Sequence, residues 1–354
     1  MTIIDQVKHK IQDYNCNAIL IANPINRLYV TGFNSSAGAL VITKDDALFL
    51  TDSRYFEAAE STIIGATVKY AEDSEAYYKE IKELLDRNNI TSLGFEDDKI
   101  SYIGFNNWKE KLEIEMVPAG KLIADLRAVK TSEQLDKMIK SQRMAEKTFQ
   151  DILPLISTDI TEKQLAAELI YAMLKNGADD KAFNPIVVSG TKTSMPHGVP
   201  GDEKISNGFL TIDFGVRLNG WVSDMTRTLC VGKPDEEMIN IYNTVLKAQL
   251  AGISAIRADL KGVDVDAAGR AVIEDAGYGD YFGHGFGHSL GLEVHESLKA
   301  SPTSEDVLPY GTVLSAEPGI YLPGRFGVRI EDVVYITESG CQNITNTTKE
   351  LIII

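Results

Sequence analysis

The most constraining stretch of this 354-residue chain is a pair of apolar runs that each carry an aspartate. Leu210-Thr211-Ile212-Asp213-Phe214-Gly215-Val216 leads into Leu218-Asn219-Gly220, and Trp221-Val222-Ser223-Asp224-Met225-Thr226-Arg227-Thr228 follows. Two strand-like runs flanking an Asn-Gly signal read as a β-hairpin. With a two-residue loop centred between Leu218 and Asn219, Asp213 and Asp224 are expected as direct cross-strand partners, their Cβ atoms ~5 Å apart. Like charges so placed repel and drive one carboxyl pKa upward unless a cation lies between them. An isolated acid pair is more often a solvated hairpin face, so the hairpin alone leaves both readings open.

Three further segments narrow the choice. Gly283 to Glu296 sets His284, His288 and His295 among four glycines, a density that opposes continuous helix. Glycines there are expected to let the backbone turn sharply and pass close to another segment. Val313 to Tyr321 carries Glu317 within an apolar strand pattern, and Gly327 to Val334 carries Arg329 and Glu331. Arg329 and Glu331, two apart, would share a strand face, for which a structural ion-pair network is an equal reading. Together Asp213, Asp224, Glu317 and Glu331 offer four negative charges, and His288 adds a neutral nitrogen, with no cysteine close by in sequence. Such an oxygen-rich set suits two hard or borderline divalent ions rather than a thiolate zinc site. Two such ions with a bridging hydroxide describe a dinuclear hydrolase centre. Motifs for a His-Glu-x-x-His zinc site, a phosphate loop, a dinucleotide loop or a Gly-x-Ser-x-Gly nucleophile are absent.

These segments fall in the second part of the chain. The first part alternates a helical pattern at Asp5 to Asn15 with strand-like runs at Ala18 to Ala22, Ala39 to Thr43, Ala47 to Thr51, Ala66 to Tyr70 and Ser92 to Glu96, and a helix at Tyr77 to Asn88. That rhythm predicts a small α/β layer domain. A boundary near Asp125 to Lys130 is followed by Thr131-Ser132-Glu133-Gln134, a capping box opening a long helix. A second box, Thr161-Glu162-Lys163-Gln164, opens a helix that ends at Asn176-Gly177, and further helices are expected at Glu236 to Ile256 and Val263 to Ala276.

Composition sets outer bounds. Hydrophobic residues at 44% and charged residues at 24% allow a sizeable core and exclude wholesale disorder. A net charge of −16 argues against nucleic acid or anionic membrane as partner. No apolar run approaches the ~20 residues of a membrane span. Asp5 lies where an export signal would be basic or apolar, and Cys16, Cys230 and Cys341 are too few for a disulfide framework. The expected compartment is the cytoplasm.

The motifs resemble those of the pita-bread metallopeptidases, which include aminopeptidase P, prolidase and methionine aminopeptidase. The matching pieces are Pro196-His197-Gly198, Asp213-Phe214-Gly215, Ser223 to Thr228, Gly283 to Glu296, Glu317-Pro318-Gly319-Ile320-Tyr321 and Val328-Arg329-Ile330-Glu331-Asp332, in family order. The resemblance implies an α/β two-domain chain: a creatinase-like α/β domain over residues 1–127, then a larger pita-bread α+β catalytic domain over 128–354. It implies Asp224 and Glu331 bridging two metal ions, Asp213 completing one, and His288 and Glu317 the other. The ions would be manganese, with cobalt or zinc as alternatives. A hydroxide between them would attack the scissile carbonyl, with Glu317 as proton shuttle and His197 and His295 stabilising the tetrahedral intermediate. His284, Arg329 and Tyr321 would contact substrate or the site rim. A homodimer is usual in the family. Thr31-Gly32-Phe33 and Thr51-Asp52-Ser53-Arg54-Tyr55 tip the expectation toward an Xaa-Pro aminopeptidase acting on proline-containing peptides. The alternatives are an Xaa-Pro dipeptidase (prolidase) and a non-catalytic pita-bread binding protein.

Overall fold

The computed structural model describes residues 1–354, and the chain divides into two compact units, Met1–Arg127 and Ala128–Ile354. The first is a six-stranded mixed sheet. Its strands are β1 (Ala18–Ile21), β2 (Ala39–Thr43), β3 (Ala47–Thr51), β4 (Thr67–Tyr70), β5 (Ser92–Phe95) and β6 (Glu115–Pro118), in the order β4-β3-β2-β1-β5-β6. Five helices, α1 (Ile3–Lys10), α2 (Pro24–Thr31), α3 (Phe56–Thr62), α4 (Ser74–Arg87) and α5 (Tyr102–Leu112), are interleaved with them, and α6 (Gly120–Ala128) closes the unit. The near-continuous apolar character of β1, β2 and β3 follows from burial on both faces. Helix α4 lays Ile81, Leu84 and Leu85, spaced for one helical face, onto Leu20, Val41, Leu48 and Leu93.

In the second unit both capping boxes form as expected. Thr131 accepts from the Gln134 N–H and opens α7 (Ser132–Ile152); Thr161 does the same for α8 (Glu162–Lys175), which ends at Asn176 and a left-handed Gly177. Strands β7 (Asp180–Lys181), β8 (Ile186–Ser189), β9 (Gly208–Phe214), β10 (Val216–Leu218), β11 (Trp221–Val222) and β12 (Met225–Val231) follow, and β8, β9 and β12 pair antiparallel. Helices α7 and α8 bury Phe149, Ile152, Leu165 and Leu169 against Val187, Ile212, Phe214 and Leu229 of that sheet.

A second helix pair, α9 (Glu236–Ala255) and α10 (Gly262–Asp275), packs on Phe209 of β9 and Cys230 of β12 and on strands from the rest of the chain. The relevant strands of that remainder are β13 (Gly287–His288) with β14 (Lys299–Ala300), β15 (Val313–Ala316), β16 (Gly319–Leu322), β17 (Phe326–Arg329) and β18 (Asp332–Ile336). One ring joins the helices to the strands. Phe286 is fully buried, and a Cβ on Gly252 of α9 or Gly269 of α10 would lie 2.1 or 2.5 Å from its atoms. Those glycines inside helices, unfavourable by ~1 kcal/mol each, are the space the ring occupies.

The hairpin corrects the expected register. Its turn is Asn219-Gly220, both at positive φ, rather than a loop centred on Leu218 and Asn219. Leu218 therefore pairs with Trp221, and Asp213 faces Thr226 instead of Asp224. Asp224 sits one step off the end of β12, where Gly215 lets the strands close in: a Cβ there would meet the Ser223 carbonyl oxygen at 1.9 Å. Asp213 and Asp224 remain on one face because Asp224 and Thr226 are two apart.

Candidate metal centre

The acids of the second unit converge on the floor of one cavity of about 1030 Å³. Strand β9 supplies Asp213, the residue before β12 Asp224, β13 His288, the segment after β15 Glu317, and the two-residue link between β17 and β18 Glu331. Donor atoms of Asp224, His288 and Glu331 lie within 4.8 Å of one another. His288 Nε2 is 3.1 Å from Glu317 Oε1 and 3.8 Å from Asp224 Oδ2. Its Nδ1 faces the Ser289 carbonyl oxygen, which only accepts, so a neutral His288 directs its Nε2 lone pair toward the acids.

The electrostatics are those of a nest built for positive charge. Burial, reinforced by neighbouring acids, pushes the carboxyls of Asp224 and Glu331 well above the usual range. Burial also raises Asp213, against the pull of Arg329, which donates to its Oδ2 at 2.5 Å. At Glu317 burial is outweighed by the hydrogen bond and charge of His288, which bring it down to about 2; the same contact, against burial, lifts His288 to about 9. Asp213 Oδ1, Asp224 Oδ1 and Glu331 Oε1 are buried without any hydrogen-bond partner. Three orphaned carboxylate oxygens in one spot would each carry a large desolvation cost. Divalent cations would satisfy all three, and the oxygen-rich, single-imidazole donor set matches hard or borderline ions. The residues fit the implied metals.

Supporting contacts hold the acids in place. Thr226 donates its hydroxyl to Glu331 Oε2 at 2.8 Å, and Ser315 donates to Glu317 Oε1 at 3.0 Å while accepting the His288 N–H. Arg227, fully buried, donates to the carbonyl oxygens of Thr226, Glu331, Thr347 and Thr348 and to Asp332. In the glycine-rich segment, Gly287 lies where a Cβ would meet the Ser315 carbonyl at 2.0 Å, and none of its four glycines has positive φ. Close approach, rather than unusual dihedrals, is what they provide.

The other expected site residues divide. His197, exposed, and His295 line the cavity; the His295 ring stands 4.2 Å from that of His288. His284 and Arg329 line it as well. Tyr321 lies behind the wall: its hydroxyl accepts from Arg329 and meets His284 Nε2 at 2.9 Å, and it does not line the cavity.

Sequence reasoning missed Lys299. It pairs with His288 across β13 and β14, lines the cavity, and makes no ion pair. The available signal was the return of the chain four residues after His295, legible only once that pairing is known. Phe183, Pro185, Val199 and Val294 give the cavity its apolar wall.

Clustered buried acids, one imidazole, a substrate-sized cavity and a pita-bread frame define a metal-dependent hydrolase. The chain belongs to metallopeptidase family M24: that family's model matches residues 136–338, and the creatinase/prolidase N-terminal domain matches residues 3–129. It is 37% identical to an Xaa-Pro dipeptidase of Pyrococcus furiosus over 97% of both chains. An Xaa-Pro dipeptidase structure from Bacillus anthracis superposes with a TM-score of 0.96 at 37% identity, covering 99% of both chains. An X-Pro aminopeptidase structure from Thermotoga maritima does so at 0.91 and 30% identity, covering 98% of this chain and all of that one.

Proposed function

We propose that the protein is an Xaa-Pro dipeptidase, the alternative to the aminopeptidase expectation raised by the N-terminal motifs. The observation that carries this reading is Lys299, a solvent-exposed cation without an ion-pair partner among the residues that line the cavity. A dipeptide ends in a proline carboxylate, and enclosing that charge without a cation would be costly. The dipeptidase relatives from two organisms support the same choice.

Asp213, Asp224, His288, Glu317 and Glu331 would hold the two ions, with manganese proposed and cobalt or zinc as alternatives. When bound, such ions supply Lewis acidity and lower the pKa of water toward neutrality. Around them this chain's residues divide the work. Glu317 takes the proton of the attacking water and delivers it to the proline nitrogen, which as a tertiary amide carries none of its own. His295 and His197 donate toward the developing oxyanion. Arg329 fixes Asp213. Lys299 holds the proline carboxylate, and the apolar wall takes the ring. The proposed setting is a cytoplasmic homodimer of two-domain chains.

The test is kcat/KM for Ala-Pro against Ala-Pro-Ala. The dipeptidase reading requires a clear preference for Ala-Pro. The Thermotoga likeness favours a second reading, aminopeptidase, which requires the reverse.

A further inference from the structure

The loop that carries His197 is fastened from behind by a single carboxylate. After β8 the chain makes a short 3₁₀ turn, Gly190–Ser194, passes through Pro196-His197-Gly198 at the cavity, and returns at Gly201. Glu162, the first residue of α8, is 1% exposed and does not line the cavity. Its Oε1 accepts from the N–H and hydroxyl of Ser189 at 2.7 and 3.2 Å. Its Oε2 accepts from Lys192 Nζ at 2.5 Å and the Gly201 N–H at 3.0 Å. One side chain therefore grips the start, the first turn and the end of the loop.

Helix formation does not explain Glu162. The capping box at this terminus is completed by Gln164, whose side chain accepts the Thr161 N–H at 2.8 Å. An acid in a first turn is ordinarily a solvated complement to the helix dipole; this one is buried and has four donors. The far side of the loop is held independently, by Gly327 donating to Thr193 Oγ1 at 2.9 Å and Arg329 donating to the Pro196 carbonyl at 3.3 Å. Close packing leaves the loop little slack, since a Cβ on Gly198 would meet the Val188 side chain at 2.9 Å and the Met195 carbonyl oxygen at 3.3 Å.

We propose that Glu162, with Lys192, is a positioning pair that presents His197 to the substrate, an inference that rests on the proposed role of His197. A group that must lie within about 1 Å of its working position needs such a backstop, because misplacement on that scale can cost ~10²-fold in rate.

The experiment compares Glu162→Gln, Lys192→Met and Lys192→Arg, alone and with His197→Ala, in the full chain. Glu162→Gln turns an amide N–H₂ against donors, and Lys192→Met, at a partly exposed position, serves as the second variant should Glu162→Gln fold poorly. Both should lower kcat for Ala-Pro by about tenfold with bound metal unchanged, and Lys192→Arg should restore it. Amide exchange across residues 190–201 should accelerate. In the His197→Ala background either change should cost less than about twofold more, the mark of two residues acting through one group. Full additivity with His197→Ala, or unaltered exchange across 190–201, would overturn the positioning role alone. Normal turnover by His197→Ala itself would overturn the role of His197 and this inference with it.

Discussion

His288 Nε2 stands 3.1 Å from Glu317 Oε1, close to the spacing of two donors that share one ion. Against the effect of burial, the hydrogen bond and charge between them displace the two in opposite senses, His288 up to about 9 and Glu317 down to about 2.

Metal uptake should therefore release protons. With no metal bound, His288, lifted to about 9 by its contact with Glu317 against the effect of burial, holds a proton at neutral pH, and burial and mutual repulsion favour the protonated forms of Asp224 and Glu331. Ligands must shed those protons, so affinity should rise with pH. Calorimetric titration with Mn²⁺ in buffers of different ionisation enthalpy measures the number released; zero would contradict this account.

Asp224→Ala should lose metal and turnover together, because it removes an acid from the centre of the donor cluster. His295→Ala should keep its metal and lose about 2.7–4 kcal/mol of transition-state stabilisation. Elemental analysis beside steady-state kinetics separates the two, and a metal-depleted His295→Ala protein would make that histidine a ligand.

Lys299→Met should act on the dipeptide selectively. A charge-assisted contact to the proline carboxylate is worth about 1.5–3 kcal/mol, or roughly 10- to 150-fold in kcat/KM for Ala-Pro. Ala-Pro-Ala, whose proline carboxyl is an amide, should be far less affected. Equal losses on both peptides would remove Lys299 from carboxylate recognition.

Arg227→Met tests the scaffold beneath Glu331. Breaking a buried ion pair costs about 3–5 kcal/mol, and four carbonyl oxygens lose a donor as well. Lys349, 2.7 Å from Asp332, remains as a partial substitute, so the lower end of that range is expected from urea unfolding.

Local signals carried far in this chain. The capping boxes at Thr131 and Thr161 place α7 and α8, and the apolar runs at Ala39 to Thr43 and Ala47 to Thr51 are strands with the expected ends. Helix α2 escaped notice although Asn23-Pro24 marks its start, because its eight residues are too few for a periodicity to stand out. Helix α5 buries only Leu112, so almost no apolar face declares it. At the site, the four acids stood out as charges in apolar strand patterns and His288 by its place in the glycine-rich run, and the structure brings all five to one cavity. The hairpin register was not, since Leu218-Asn219 and Asn219-Gly220 compete as turn centres and only the second gives both central residues positive φ. Lys299 and the clamp at Glu162 depend on which strands and loops meet, and no short-range pattern encodes that.

The seat of Phe286 between Gly252 and Gly269 has a consequence for sequence drift. Neither glycine can gain a side chain while the ring is present, and trimming the ring alone would leave a void worth about 3–5 kcal/mol. The three positions are free to change only in concert: alanines in α9 and α10 become acceptable once residue 286 is small. Among related sequences, a helix glycine replaced at either position should be accompanied by a lighter residue two places before the histidine of β13, a compensatory pattern that tells a packing constraint from a catalytic one.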